Sequence, residues 1–322
     1  MRSALRLARP AVAAAALGAV IWRLGTGPFL DGVRDLDGRA LLAAAAIGLL
    51  TTACCAWRWT VVARGLGARL SLPLALAAYY RSLFLNLTLP GGIAGDLHRG
   101  VSHGRDLRDV GRALRVVVWE RTAGQVVQAV STVAVLLVLP SPVRSWMPVV
   151  AIGLVAATVW LVLADRLHRR RAGSRWRRAR NAVAGDIRAG LLRRSAWPAV
   201  AFASALVVLG HAVTFLIAAR TAGVTAPPTR LLPLALLAML AMVVPSIAGW
   251  GPREGAAAWI FASAGLGADR GAATAVAYGV MSLAASLPGA LVLVAGWLRR
   301  RRPAPGTRHL PVVLQVEGAT DA

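Results

Sequence analysis

Seven charged residues lie in or at the edge of apolar stretches: Arg81, Asp96, Arg99, Glu120, Arg121, Arg253 and Glu254. Guanidinium groups grip phosphate as planar forks. Arg99 and Arg253 are the pair expected to hold one anionic headgroup. Asp96 and Glu254 would receive an amine or tune the arginines, with Glu120 nearby. A charge at bilayer depth costs about 2.5–3.5 kcal/mol, so seven cost on the order of 20 kcal/mol. That exceeds the roughly 5–15 kcal/mol net stability of a domain. The charges must therefore be paired, hydrated or interfacial. Four are positive and three negative, which leaves two readings open. They line a wet cavity for a lipid headgroup, or they form an ion-pair network that fastens the chain together.

The residues around them set the local backbone. PGGIAGDLHRG runs from Pro90 to Gly100 and PSIAGWGPREG from Pro245 to Gly255. Each segment opens on Pro, closes on Gly, contains IAG and follows an apolar stretch. A helix does not run smoothly through so much Pro and Gly. The expected breaks are Pro90, Gly91, Gly92 and Gly95 in the first segment, and Pro245, Gly249 and Gly251 in the second. The N–H groups freed there at Gly91, Gly92, Gly95, Gly249 and Gly251 could add anion contacts. A broken apolar segment in each half is the usual sequence pointer to a transporter site.

The wider composition supplies the frame. Of 322 residues, 57% are hydrophobic and the mean hydropathy is +0.62, so this is an integral membrane protein. Candidate spans are Ala11–Trp22, Leu41–Trp57, Val116–Leu139, Met147–Ala164, Trp197–Ala219 and Ala272–Trp297. Ala11–Trp22 is short and follows three arginines, as in a signal peptide, but is read as a retained anchor. Leu72–Gly100 and Leu231–Leu266 each hold one of the breaks. The net charge of +24 comes entirely from arginine. Arginine-rich loops mark the cytoplasmic side of membrane proteins, which accounts for the charge without nucleic acid. Both termini then lie in the cytoplasm, with Arg58, Arg64 and Arg69 in an inside loop. Leu72–Gly100 must enter and leave from inside, and Leu231–Leu266 from outside. The expected fold is all-α, with about six full spans and two re-entrant helical hairpins arranged as an inverted repeat. Residues 1–300 form one transmembrane domain, and 301–322 a short cytoplasmic tail. Arg105, Arg108, Arg112 and Arg115 share one face of a helix over Arg105–Val118, expected to lie in the interface plane. Trp57, Trp59, Trp119, Trp146, Trp160, Trp197 and Trp297 sit mostly near span ends, as in an aromatic belt.

At this point a resemblance enters. LPGGIAGDLHRG, VVWERTAG at Val117–Gly124, VPSIAGWGPREG and the following GLGADRGAATAVAYGVMSLAASLPGALVLVAGW resemble the flippase-like transmembrane domain of lysylphosphatidylglycerol synthases. The likeness spans roughly residues 10–297. The first motif departs in one place, with Ala94-Gly95 where a Gly pair usually precedes Asp. The resemblance implies a bacterial cytoplasmic-membrane domain that moves a charged lipid between leaflets, for example an aminoacyl-phosphatidylglycerol. No aminoacyltransferase domain is expected after it, so the chain reads as a stand-alone member.

The expected function is a lipid flippase or scramblase for a charged phospholipid or a polyprenyl-phosphate carrier. The alternative is a glycosyltransferase component or enzyme partner in cell-envelope synthesis, with Asp96 or Glu254 as base. A scaffold is the third. No catalytic constellation, Walker loop or metal-ligand spacing stands out, so no enzyme activity, cofactor or metal is expected. Expected partners are membrane phospholipids or a polyprenyl-phosphate lipid, a separate lipid-synthesis enzyme and a second copy of the chain.

Overall fold

The computed structural model describes residues 34, 36–89, 92–141, 159, 174–194, 196–243 and 250–301. Among these residues the secondary structure is helical, with no strand. The spans expected at Ala11–Trp22 and Met147–Ala164, the belt residues Trp146 and Trp160, the break residues Pro90, Gly91, Pro245 and Gly249, and the tail beyond Arg301 lie outside the described residues.

Helix α1, Gly38–Gly65, starts where Asp37 accepts the Ala40 N–H at 2.7 Å. Its 28 residues rise about 42 Å at 1.5 Å each, ample for a bilayer. Helix α2, Leu72–Thr88, stops just short of Pro90, since the residue before a proline disfavours the helical region. Helix α3, Ala94–Asp106, follows the break. Helix α4, Val110–Val138, is capped by Asp109, which accepts the Arg112 N–H at 2.9 Å. An arginine-rich helix α5, Ser174–Gly190, precedes α6, Trp197–Thr221. Then come α7, Pro228–Leu240, with one 3₁₀ turn at Ala241–Val243, and α8, Pro252–Ser263. Helices α9, Ala268–Ser286, and α10, Pro288–Arg301, follow almost continuously. Among the described residues, four stretches are long and apolar enough to cross a membrane: α1, α4, α6 and Ala268–Leu298.

One element order occurs twice. In α1–α4 and again in α6–α9, a long helix leads to a short arm, a break, a second short arm and a long helix. The packing pairs correspond as well. The arms pack together, α2 on α3 and α7 on α8. The second arm packs on the long helix after it, α3 on α4 and α8 on α9. Helices α1 and α6 meet centrally, α4 packs on α6, and α9 packs on α1. Small residues such as Ala56, Ala63, Ala203 and Ala218 are buried on these helices, which lets backbones come close without a hydrophobic drive from water. Large apolar side chains, among them Leu42, Leu49, Phe202, Leu209 and Leu291, point outward, as suits hydrocarbon.

Three expectations fail in their details. The single interfacial helix over Arg105–Val118 does not form. The backbone turns at Leu107–Asp109, Arg108 takes φ 54°, and Asp109 caps a new helix, so the four arginines share no helix. Arg112 pairs with Asp109 at 3.2 Å and Arg115 with Asp186 of α5 at 2.9 Å. Arg58 and Arg64 are not in a loop, because α1 continues past Trp57 to Gly65; Arg58 is buried there and Arg64 exposed. Trp59 belongs to no aromatic belt, being fully buried between helices.

Candidate functional site

The first break positions one ion-pair network. Gly95 brings α3 against α2 so closely that a Cβ there would fall on the backbone of Ser82. Asn86 fixes the approach by accepting the Gly95 N–H at 2.8 Å. That contact aims Asp96 back at α2, where it accepts from Ser82 Oγ at 3.2 Å and Asn86 Nδ2 at 3.1 Å. It also receives Arg99 Nε at 2.9 Å and Arg121 Nη2 at 2.6 Å. One helical turn on, Arg99 reaches Glu120 of α4 with Nη2 at 2.7 Å. Glu120 is fully buried and also accepts from Arg58 Nε at 2.9 Å, Arg58 Nη2 and the Tyr79 hydroxyl at 3.2 Å. Arg58 then crosses to the second unit, donating from Nη1 to Ser204 Oγ of α6 at 2.9 Å.

The second break positions a smaller network. Glu254 Oε2 accepts the Gly251 N–H at 2.6 Å, holding the start of α8. Its other oxygen takes Arg253 through both Nε, at 3.0 Å, and Nη2. The Arg253 guanidinium lies 5.5 Å from the Trp250 ring and 5.1 Å from that of Tyr278. The Tyr278 hydroxyl is 2.9 Å from His211 Nδ1. Arg253 Nη1 is buried and has no hydrogen-bond partner among the described residues.

Between the two units lies a cavity of about 490 Å³. Both α1 and α6 contribute wall, as do α2, α4 and α9, so the cavity sits at the junction of the repeated units. Its charged lining residues are Arg58, Arg121 and Arg253. Gln125, Gln128, Thr51, Thr52 and His211 supply neutral polar groups, while Leu83, Met239 and Met281 are apolar. No described carboxylate lines it.

This sorts the seven expected residues. Asp96, Arg99, Glu120 and Arg121 form one network, and Arg253 with Glu254 another. Only Arg121 and Arg253 line the cavity. Arg81 is half-buried on α2 and off the cavity wall. Arg99 and Arg253 do not share the cavity. Arg99 is fully buried, with Trp59 and Tyr79 rings 4.7 and 4.4 Å from its guanidinium, its Nε and Nη2 given to Asp96 and Glu120, and its Nη1 unpartnered among the described residues. Of the expected break residues, Gly92 lines the cavity, Gly95 makes the close approach and Gly251 caps α8. Arg58 takes the place expected of Arg99, and sequence reasoning missed it. Gln125 and Gln128 were also missed, although Arg121, Gln125 and Gln128 stand at the i, i+4, i+7 spacing of one helix face.

Residues 6–289 match the family described as lysylphosphatidylglycerol synthase TM region. The chain belongs to that family. Its apolar helices make it a multi-pass membrane protein, and the family places it in membrane lipid biology. No curated protein gives a significant match.

Proposed function

We propose that this protein moves a charged lipid between leaflets, as a flippase or scramblase, with the headgroup passing through the cavity between the two units. The observation that carries the reading is that cavity: a mixed apolar and polar wall that bears three arginines, within a frame of lipid-length apolar helices. Arg121 is 39% exposed, and the buried Arg58 and Arg253 line the same space. The corresponding packing of α1–α4 and α6–α9 supports two units of opposite orientation, the arrangement that places a transport site at their interface. In this reading the charges divide their labour. Asp96, Arg99 and Glu120 fasten the first hairpin to α4, while Arg58, Arg121 and Arg253 meet the lipid.

The enzyme-partner reading has less support. Asp96 and Glu254, its candidate bases, are covered by arginine and absent from the cavity wall. Reconstitution into liposomes tests the proposal. Exchange of a fluorescent phospholipid should run faster than in protein-free vesicles, and Arg253→Gln should slow it about tenfold or more while the protein still melts cooperatively. Exchange no faster than in empty vesicles across several lipid classes would refute it.

A further inference from the structure

We infer that the cavity takes a lipid headgroup bearing a phosphate and no amine. The inference rests on the headgroup-binding role of the cavity proposed above and narrows it to a substrate class. It also departs from the lipid after which the family is named, since lysylphosphatidylglycerol carries two ammonium groups beside one phosphate.

Four observations converge on it. The described wall holds three arginines and no carboxylate. An ammonium group entering it would meet cations without a counter-charge. The carboxylates that could have received an amine are already committed elsewhere. Asp96 accepts from two arginines, Ser82 and Asn86, Glu120 from two arginines and Tyr79, and Glu254 from Arg253 and the Gly251 N–H. Aromatic faces are the other natural receptors for ammonium, and they too are taken. Tyr79 is covered by Arg99, and Trp250 and Tyr278 by Arg253.

The fourth observation points to what is wanted instead. Arg253 Nη1 is a charged donor on a side chain 2% exposed, it has no partner among the described residues, and its residue lines the cavity. A buried unmatched donor is costly unless a partner meets it; Arg99 Nη1 is unmatched too, but of the two residues it is Arg253 that lines the cavity. Charge agrees with geometry. Across the two networks, Arg58, Arg99, Arg121 and Arg253 stand against Asp96, Glu120 and Glu254, leaving one positive charge. A phosphodiester supplies one negative charge. A lysylated phosphodiester is net positive and would add to the excess.

Equilibrium binding to the full chain in neutral detergent, followed by native mass spectrometry, tests this with two lipids as probes. Phosphatidylglycerol should bind at least about tenfold more tightly than lysylphosphatidylglycerol. Arg253→Gln should weaken phosphatidylglycerol about tenfold or more, as for a lost charged hydrogen bond. Arg253→Lys, which keeps the charge but not the fork, should weaken it less. Inorganic phosphate at millimolar concentration should fail to displace the lipid. Displacement as effective as that by phosphatidylglycerol itself would assign the site to a soluble anion and overturn the lipid class. Lysylphosphatidylglycerol binding as tightly as phosphatidylglycerol would overturn the inference from the wild-type protein alone. Selective binding without leaflet exchange would leave the inference standing and sink the transport reading. Equal exchange of both lipids would do the reverse.

Discussion

Glu120→Gln is the sharpest probe of the first network. Glu120 is fully buried on α4 and is the carboxylate that meets both Arg58 and Arg99. The substitution keeps the shape and one carbonyl acceptor but removes the charge. Three arginines would then face Asp96 alone, so the net charge of this cluster rises from one to two. Removing one member of a buried ion pair costs about 3–5 kcal/mol, mostly the penalty of the stranded partner. At about 2–4 °C per kcal/mol for chains of this size class, the melting temperature should fall on the order of 10 °C. The companion variant Arg99→Gln with Glu120→Gln restores the original net charge, leaving Arg58 and Arg121 with Asp96. It should recover much of the loss. Thermal unfolding of the purified protein, followed by size-exclusion chromatography after heating, reads both. Glu120→Gln melting within about 2 °C of the parent would refute the reasoning, because it would mean the site is wet and the pairing unimportant. Strictly additive losses in the double variant would refute it in another way, by removing the coupling that an ion pair requires.

Two further predictions bear on fold and orientation. Gly95→Ala should destabilise the protein by about 1–3 kcal/mol, as overpacking does, because the new Cβ lies 2.7 Å from both the Cα and the carbonyl carbon of Ser82; an unchanged melting temperature would mean that the two arms part easily. With Cys54 and Cys55 replaced, single cysteines at the exposed positions Gly38, Gly185 and Thr229 should report sidedness. Positions 38 and 229 should react with an impermeant thiol reagent in intact cells and 185 should not; labelling at 185 would overturn the proposed topology.

Much of the frame was legible because it depends on local composition. The cores of α1, α4, α6 and α9–α10 are apolar runs of membrane length, and the breaks carry Pro and Gly that no helix tolerates well. The misplaced details share another cause. Arg58 follows an apolar run and precedes Arg64 and Arg69, the pattern of a cytoplasmic anchor. Only Glu120, sixty-two residues later, makes it a buried residue, and no local pattern carries that pairing. Trp59 was misplaced with it, since a tryptophan near a span end and one packed on a buried guanidinium look alike in sequence. The turn at Arg108 did leave a signal: Asp109 directly before Val110 is an N-cap signature, but Asp also fits the polar face of a continuous helix. Arginine spacing alone could not decide between them.

The arginines of the site are one residue type in two situations, and what distinguishes them is whether they line the cavity. Arg99 is enclosed off the wall: Asp96 and Glu120 meet its Nε and Nη2, aromatic rings cover its faces, and its unpartnered Nη1 is buried away from the cavity. Arg253 has a carboxylate on one edge and rings nearby, yet its Nη1 is left over. Arg121 gives one donor to Asp96 and keeps its side chain 39% exposed. An arginine off the wall gains nothing from a ligand in the cavity, whereas one on the wall with an unmatched donor gains a charged hydrogen bond when an anion arrives. The same logic explains why the carboxylates sit behind the arginines. Placed on the wall they would screen the incoming phosphate; placed behind, they hold the guanidinium groups in position and offset most of their charge. The geometry that makes the cluster affordable within a membrane therefore also sets the sign of what the cavity accepts.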